Sequence, residues 1–169
     1  MKLTEVLLAE IDRESERSRR VLEQVPDGRH EWKPHDRSMQ FGYLAQMVAM
    51  IPAWVAMEIN QDELDLNPPG GPTYKPEPMR TSSELLKGLE KSVADARNAL
   101  QNTSEEHLMT PWRLLVGGNV VMETARHIMI RDTLNHMAHH RGQMTVYLRL
   151  MGATVPALYG PSADDQRFV

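Results

Sequence analysis

A long helical pattern near the end of the chain constrains the fold more than any other feature. It runs from about Thr124 to Met151 without a proline, and Gly152 follows it as a natural C-terminal stop. We expect this helix to organise the fold, with the other elements packed along it.

Two histidines lie one helical turn apart in this run. His136 and His140 share one face, because residues four apart stack on a helix. Two imidazoles at this spacing can hold one divalent ion, although a tight site needs a third ligand. Asp132 lies one turn further back on the same face, whereas His139 points to a different side. The spacing alone favours the alternative of two buried or half-buried histidines that are each satisfied by a hydrogen bond, since a pair is not a complete site.

The composition describes one globular domain, which we expect to span residues 1–169. Hydrophobic residues make up 41% and charged residues 25%, an ordinary balance. The net charge of -4 favours neither nucleic-acid nor anionic-membrane partners. No apolar run approaches the ~20 residues that span a bilayer, and early charges at Glu10 and Asp12 argue against a signal peptide. The chain has no cysteine, which excludes disulfides and thiolate ligands and agrees with a cytoplasmic location.

Two helices are predicted in the first third of the chain. The first begins near Leu3 and ends before Pro26, and its charged middle, Glu14 to Arg20, is expected to be solvated. The second runs from about Gln40 to Ile59, with Ser38 as a candidate N-cap. Pro52 lacks an N–H and should kink this second helix.

In the middle of the chain, the sequence predicts a crossover loop, a third helix and a hairpin. Asn67–Pro78 is too rich in proline and glycine for a helix or an interior strand, and we expect a surface loop there. Thr81–Glu84 is a capping box for the third helix, and Thr103 with Glu106 offers another. Trp112–Met122 carries β-branched residues around Gly-Gly, which is typical of a hairpin. The predicted fold is an all-α four-helix bundle with a long crossover loop and a candidate β-hairpin before the last helix.

Four motifs, in their order and spacing, resemble the DinB/YfiT-like family, and the resemblance covers nearly the whole chain. They are Trp32-Lys33-Pro34-His35 with Ser38-Met39, Leu44-Ala45 to Ile51-Pro52-Ala53-Trp54, Asn135-His136 through His139-His140-Arg141-Gly142-Gln143, and Tyr159-Gly160-Pro161-Ser162-Ala163-Asp164. The resemblance implies a four-helix bundle, frequently a homodimer, with three histidines that bind zinc, nickel or a similar divalent ion. His136 and His140 match the pair that the family carries on its last helix.

The third family histidine belongs on the second helix, in a Leu-Ala-x-His-Val-Ala pattern. Here that position is Met47, and Met50 stands where relatives often have an acidic residue. A thioether is a soft ligand that suits Cu(I) and is poor for Zn²⁺ or Ni²⁺. We therefore expect a metal site at His136 and His140 that is weakened at its third position, with Asp132 as a candidate substitute.

We expect a pocket lined by Met47, Met50, Trp54 and His139 beside the histidine pair.

Three functions follow from the resemblance and from the replacement of the third family histidine by Met47. The first is a metal-dependent enzyme, a thiol transferase or hydrolase whose thiol comes from the substrate. The second is a metal-free relative that binds a small apolar molecule. The third is a dimeric structural or stress-response protein.

Overall fold

The computed structural model describes residues 2–71 and 77–167. Residues 72–76 of the predicted crossover lie outside these ranges, and the described parts of that loop are irregular. The helices are α1 (Leu3–Leu22), α2 (Phe41–Met50), α3 (Pro52–Asn60), α4 (Ser82–Gln101), α5 (Glu105–Leu108) and α6 (Arg126–Leu150). The strands are β1 (Glu63–Asp65), β2 (Pro111–Val116) and β3 (Asn119–Ala125).

The protein is mostly helical, but it is not all-α as predicted, because it contains a three-stranded sheet in the order β1-β2-β3. The hairpin of β2 and β3 is confirmed, and Gly117 and Gly118 form its turn with φ of 60° and 81°. Such values favour glycine. Strand β1 was not predicted; it has three residues and pairs in parallel with β2.

The kink at Pro52 is confirmed and divides the predicted second helix into α2 and α3, which are bent by 49°. Proline stands at the first position of α3, where its missing N–H removes no helical bond. Among the described helices, none alone is long and apolar enough to cross a membrane, and α2 with α3 reach that length and composition only together.

Two clusters of buried apolar side chains join α1, α2, α3, α4 and α6. One lies between the end of α1, α2, the start of α4 and the end of α6. The other lies between the start of α1, α3, the end of α4 and the first half of α6. The first includes Val21, Phe41, Val48, Leu85 and Leu148, and the second Ile11, Val55, Leu100, Ile130 and Leu134.

Two predicted caps are corrected and one is confirmed. Ser38 closes a turn through its N–H to the His35 carbonyl, 2.9 Å away, and the residue before α2 is Gln40, which makes no side-chain cap. Ser104, not Thr103, caps α5 by accepting from the N–H of His107 at 3.1 Å. The Thr81–Glu84 capping box is present.

The charged middle of α1 is not solvated throughout, contrary to the prediction. Glu14 and Ser18 are buried because they face Arg141 of α6, which is itself only 1% exposed. The Arg141 guanidinium donates to the Glu14 carboxylate and to the Ser18 hydroxyl. A buried charge is tolerated when it is paired and hydrogen-bonded, so this ion pair explains the buried charge on α1.

Candidate ligand site between α3 and α6

The predicted histidine pair lies side by side on α6. The ring centroids of His136 and His140 are 4.5 Å apart, and the rings are tilted by 41°. His140 is 4% exposed, and His136 is half-buried. Trp54 of α3 lies across the gap, with its ring centroid 5.4 Å from that of His136. The pair therefore lies at the interface between α3 and α6, which we call the seam.

Gln143 orients both His139 and His140. Its Oε1 lies 2.9 Å from Nδ1 of His140, and its Nε2 lies 3.0 Å from Nε2 of His139. With the amide in this orientation, His140 Nδ1 carries the proton and donates it to the amide oxygen. The neutral ring then has a free lone pair on Nε2. His139 itself is exposed; it contacts Gln143, and its ring centroid lies 5.3 Å from that of His140.

Burial keeps the charged form of His136 unfavourable. Desolvation lowers the pKa of His136, and the neighbouring His140 and His139 lower it further. The imidazole is therefore neutral over a wider pH range than a histidine in water.

Met47 belongs to α2, which is bent by 49° relative to α3. Its spacing from Ile51, Trp54 and Glu58 is that of one helical face. Trp54 contacts His136, and Glu58 contacts Thr133, so α3 and α6 run antiparallel. Residues of α3 that precede Trp54 therefore lie opposite residues of α6 that follow His136. Met47 lies before that bend, and its half-buried side chain packs against the apolar cluster that contains Met137.

Met50 faces a different neighbour. Its Sδ accepts from Nε2 of Gln46 at 3.6 Å. The same amide donates to the carbonyl of Glu77 and accepts from the N–H of Met79, at 3.0 and 3.1 Å. Gln46 therefore holds the end of the crossover loop against α2. Met50 contacts the same Gln46 side chain.

Glu58 is a buried carboxyl one turn from Trp54, and no sequence motif marks it. It is 2% exposed, and Thr133 Oγ1 donates to its Oε1 at 2.5 Å. Among residues 2–71 and 77–167, its buried Oε2 has no hydrogen-bond partner. Desolvation raises the pKa of Glu58 to about 7, and the negative charge of Asp132 adds to the rise. The carboxyl is therefore protonated in part at neutral pH.

The residues at the seam do not supply the donors of a three-ligand divalent site. Within residues 2–71 and 77–167, no three His, Asp or Glu side chains are grouped so that they could hold a metal ion. Asp132 is half-exposed, and its carboxylate lies 3.9 Å from Arg131. Zinc and nickel sites need about three protein nitrogen, oxygen or sulfur donors. Two imidazoles and a neutral thioether therefore do not fit a resident Zn²⁺ or Ni²⁺ of the kind the resemblance implies.

A separate open cavity of about 450 Å³ lies at the base of the hairpin, and its lining includes Asp62, Arg113 and Arg126. Arg126 is buried and donates to the carbonyls of Glu58 and Gln61 at 2.5 Å and to the Asp62 carboxylate. Arg113 pairs with Glu63 at 2.7 Å. Arg126 therefore joins the start of α6 to the end of α3, and Arg113 joins β2 to β1.

Comparison with known proteins agrees with this architecture. A DinB-like protein from Bacillus cereus ATCC 10987 has 24% sequence identity and a TM-score of 0.69, over 92% of this chain and 97% of that one. The DinB-like protein YjoA from Bacillus subtilis has 17% identity and a TM-score of 0.66, over 88% and 93%. At these identities the likeness establishes the fold.

The fold and site thus define a mostly helical DinB-like protein with a small sheet and a histidine pair. The chain belongs to the DinB family, whose sequence profile matches residues 1–167. It is also 31% identical over 81 residues to the uncharacterized protein YrdA of Bacillus subtilis (strain 168). That match spans 43% of this chain and 46% of YrdA, less than half of either.

Proposed function

We propose that this DinB-family protein binds a ligand at the seam through the nitrogen lone pairs of His136 and His140, without a resident zinc or nickel ion. The observation that carries the proposal is the 2.9 Å contact between Nδ1 of His140 and Oε1 of Gln143. An imidazole that donates from one nitrogen presents the other as an acceptor in a fixed direction. The helix thus holds the ring ready for a ligand.

The surroundings of the pair suit such binding. Trp54 lies against one side of His136, and both Trp54 and Met47 pack against the neighbouring apolar cluster. Apolar walls with a few placed polar atoms are typical of small-ligand sites. His136 remains half-exposed, which gives a ligand access from solvent.

The second candidate is a metal-dependent transferase or hydrolase. The observation that favours it is the 4.5 Å separation of two imidazoles on one helix face, which allows both rings to approach one ion. A thiol or water from solution would complete the coordination, since the chain has no cysteine. In this candidate, His136 and His140 bind the ion and Met47 leaves the third position weak.

Metal analysis separates the two candidates. We would purify the protein without a histidine tag, measure bound zinc and nickel, and titrate metal-free protein with Zn²⁺ by calorimetry. If the protein has no resident ion, the purified wild type should contain far less than one zinc or nickel ion per chain. The Met47→His variant should then bind Zn²⁺ on the order of a hundredfold more tightly than wild type. The gain follows from a third imidazole.

Met109→His is the matched control, because Met109 is 56% exposed and lies after α5, outside the seam. It should leave Zn²⁺ affinity unchanged. One tightly bound Zn²⁺ or Ni²⁺ per wild-type chain would support the enzyme instead. If Met47→His gains nothing although it folds, Met47 does not face the pair, and the proposed site is wrong.

A further inference from the structure

We infer that the outer edge of the hairpin binds an extended peptide segment of a partner protein, which adds a fourth strand beside β3 and places a lysine or arginine opposite Glu123. This surface lies apart from the seam, and the inference goes beyond the proposed function. In strand addition of this kind, backbone hydrogen bonds supply the affinity and alternate side chains supply the specificity.

The strand β3 has a free edge. The order of the sheet is β1-β2-β3, and within residues 2–71 and 77–167 the strand β3 pairs with β2 alone. Glu123 lies opposite Arg113 of β2, and the Arg113 N–H points the other way and donates to the Asp62 carbonyl at 3.1 Å. In an antiparallel ladder, two facing residues that share no hydrogen bond direct their backbone groups to the two outer sides. The N–H and C=O of Glu123 are therefore open to an added strand.

Charges alternate across the sheet and end on a carboxylate. Glu63 of β1, Arg113 of β2 and Glu123 of β3 are successive register partners, so their side chains form one row on one face. Arg113 pairs with Glu63 at 2.7 Å, whereas Glu123 has no ion pair among the residues that the structure describes. Opposite charges on directly facing strand residues are favourable. A basic residue on a fourth strand would continue the alternation.

The cavity at the base of the hairpin has room for a long basic side chain beside Glu123. Its volume is about 450 Å³, and Glu123 lines it together with Arg113 and Arg126. Both guanidinium groups already have carboxylate partners, Glu63 for Arg113 and Asp62 for Arg126. The Glu123 carboxylate therefore carries the uncompensated charge of this cavity in the described part of the chain, and the cavity favours a cationic group.

An exposed apolar run adjoins this carboxylate. Val120, Val121 and Met122 are 50%, 57% and 44% exposed. Val121 is the extra residue of a bulge, because its neighbours Val120 and Met122 have register partners on β2 and it has none. Three consecutive exposed apolar residues are unusual on a protein surface and mark a contact site. The partner segment therefore carries apolar residues next to its basic one.

A second copy of this chain is a poorer occupant of the edge. Residues 119–125 contain no lysine or arginine, so an antiparallel pair of two β3 strands would set Glu123 against an uncharged residue or against another Glu123. Like charges in facing positions are unfavourable. The row of charges therefore selects a different, basic partner.

The test uses a fluorescent peptide with the core Thr-Val-Lys-Val-Thr between Gly-Ser tails, titrated with the protein by anisotropy. A matched peptide has glutamine in place of the lysine. The lysine peptide should bind wild type about fivefold more tightly than the glutamine peptide, and Glu123→Gln should abolish that preference. Glu90→Gln, at an exposed position of α4, should preserve it. Circular dichroism verifies that each variant folds.

Two further measurements test strand addition itself. Methylation of the backbone nitrogen of the peptide lysine removes the donor that faces the Glu123 carbonyl, and it should weaken binding about tenfold. Amide hydrogen exchange of Glu123 should slow when the lysine peptide binds.

Equal binding of the lysine and glutamine peptides to wild type, or binding of neither, would overturn the inference. If Nα-acetyl-lysine amide binds as tightly as the peptide, the surface is an amine cavity and strand addition is wrong. A concentration-dependent dimer in sedimentation that Met122→Lys abolishes would put a second copy of this chain in place of the partner segment, and would overturn the inference as well.

Discussion

Glu58 on α3 accepts a hydrogen bond from Thr133 on α6, and its second carboxylate oxygen is buried with no partner in the described part of the chain. The two residues join the helices one turn below the contact between Trp54 and His136. The seam therefore carries an ionisable group whose charge is poorly compensated. Its protonation state must affect the stability of the fold.

Stability should fall as the pH rises through the range in which Glu58 ionises. The pKa of Glu58 is about 7 in the folded chain against an ordinary 4.5, so the folded state binds more protons between these values. The linked loss is up to about 3 kcal/mol of unfolding free energy. Glu58→Gln should remove this slope between pH 5 and pH 8. Urea unfolding across that range measures it.

Glu106→Gln is the control for that experiment, because Glu106 is exposed on α5. It should preserve the wild-type slope. Equal slopes for wild type and Glu58→Gln would show that Glu58 does not ionise in a buried setting.

The pKa of His136 should rise when Trp54 is removed. Desolvation is the main cause of its lowered pKa, and Trp54 is the ring that lies over it. Trp54→Ala admits water, so the imidazole of the metal-free variant should titrate closer to 6.5. NMR titration of the ring protons follows the change. Because the folded pKa is depressed, stability from this group is present above the unfolded pKa and is lost as the pH falls through the folded pKa.

Trp32→Ala provides the comparison, since Trp32 packs against Tyr147 at a centroid distance of 5.6 Å, away from His136. An unchanged His136 titration in Trp54→Ala would mean that other groups desolvate the ring.

The buried ion pair of Arg141 and Glu14 should be a major determinant of stability. Removing one member leaves the other buried and unpaired, which costs about 3–5 kcal/mol. Glu14→Gln should therefore lower the midpoint of thermal unfolding strongly. Tyr159→Phe removes a hydroxyl that donates to Glu14 at 2.6 Å, and it should cost about 1 kcal/mol. Tyr43→Phe, on an exposed ring, should have no effect. A Glu14→Gln protein as stable as wild type would contradict the ion-pair assignment.

Asp65 should hold the hairpin turn against β1. Its carboxylate accepts from the N–H groups of Gly117 and Gly118 at 2.9 and 2.6 Å, and that of Asn67 at 2.9 Å. Asp65→Ala should speed amide hydrogen exchange at Gly117 and Gly118 while exchange in α6 stays slow. Uniformly faster exchange in both regions would indicate global destabilisation instead.

Local sequence patterns predicted the helices, the Pro52 kink and the hairpin because each depends on neighbours within a few residues. Strand β1 escaped prediction because Glu63–Asp65 is too short to show a period and exists through pairing with β2. Glu14 was misjudged as solvated because its partner, Arg141, lies 127 positions away. No local rule reports such a contact.

The candidate site was predictable in part. The four-residue spacing placed His136 and His140 on one face, and the helix pattern placed Trp54 opposite. Gln143 had a usable signal, since it stands three residues after His140 and therefore one turn away. Glu58 had a weaker one, its place on the same stripe as Trp54. The pairing of Glu58 with Thr133 depends on the tertiary fold.

The state of the His140 ring tests the account most directly. A long-range ¹H–¹⁵N spectrum of the metal-free protein at pH 7 identifies which nitrogen of each imidazole carries a proton. We predict that the uncharged His140 ring carries its proton on Nδ1, with an unprotonated Nε2. An uncharged ring with its proton on Nε2 would contradict a ligand site built on that nitrogen.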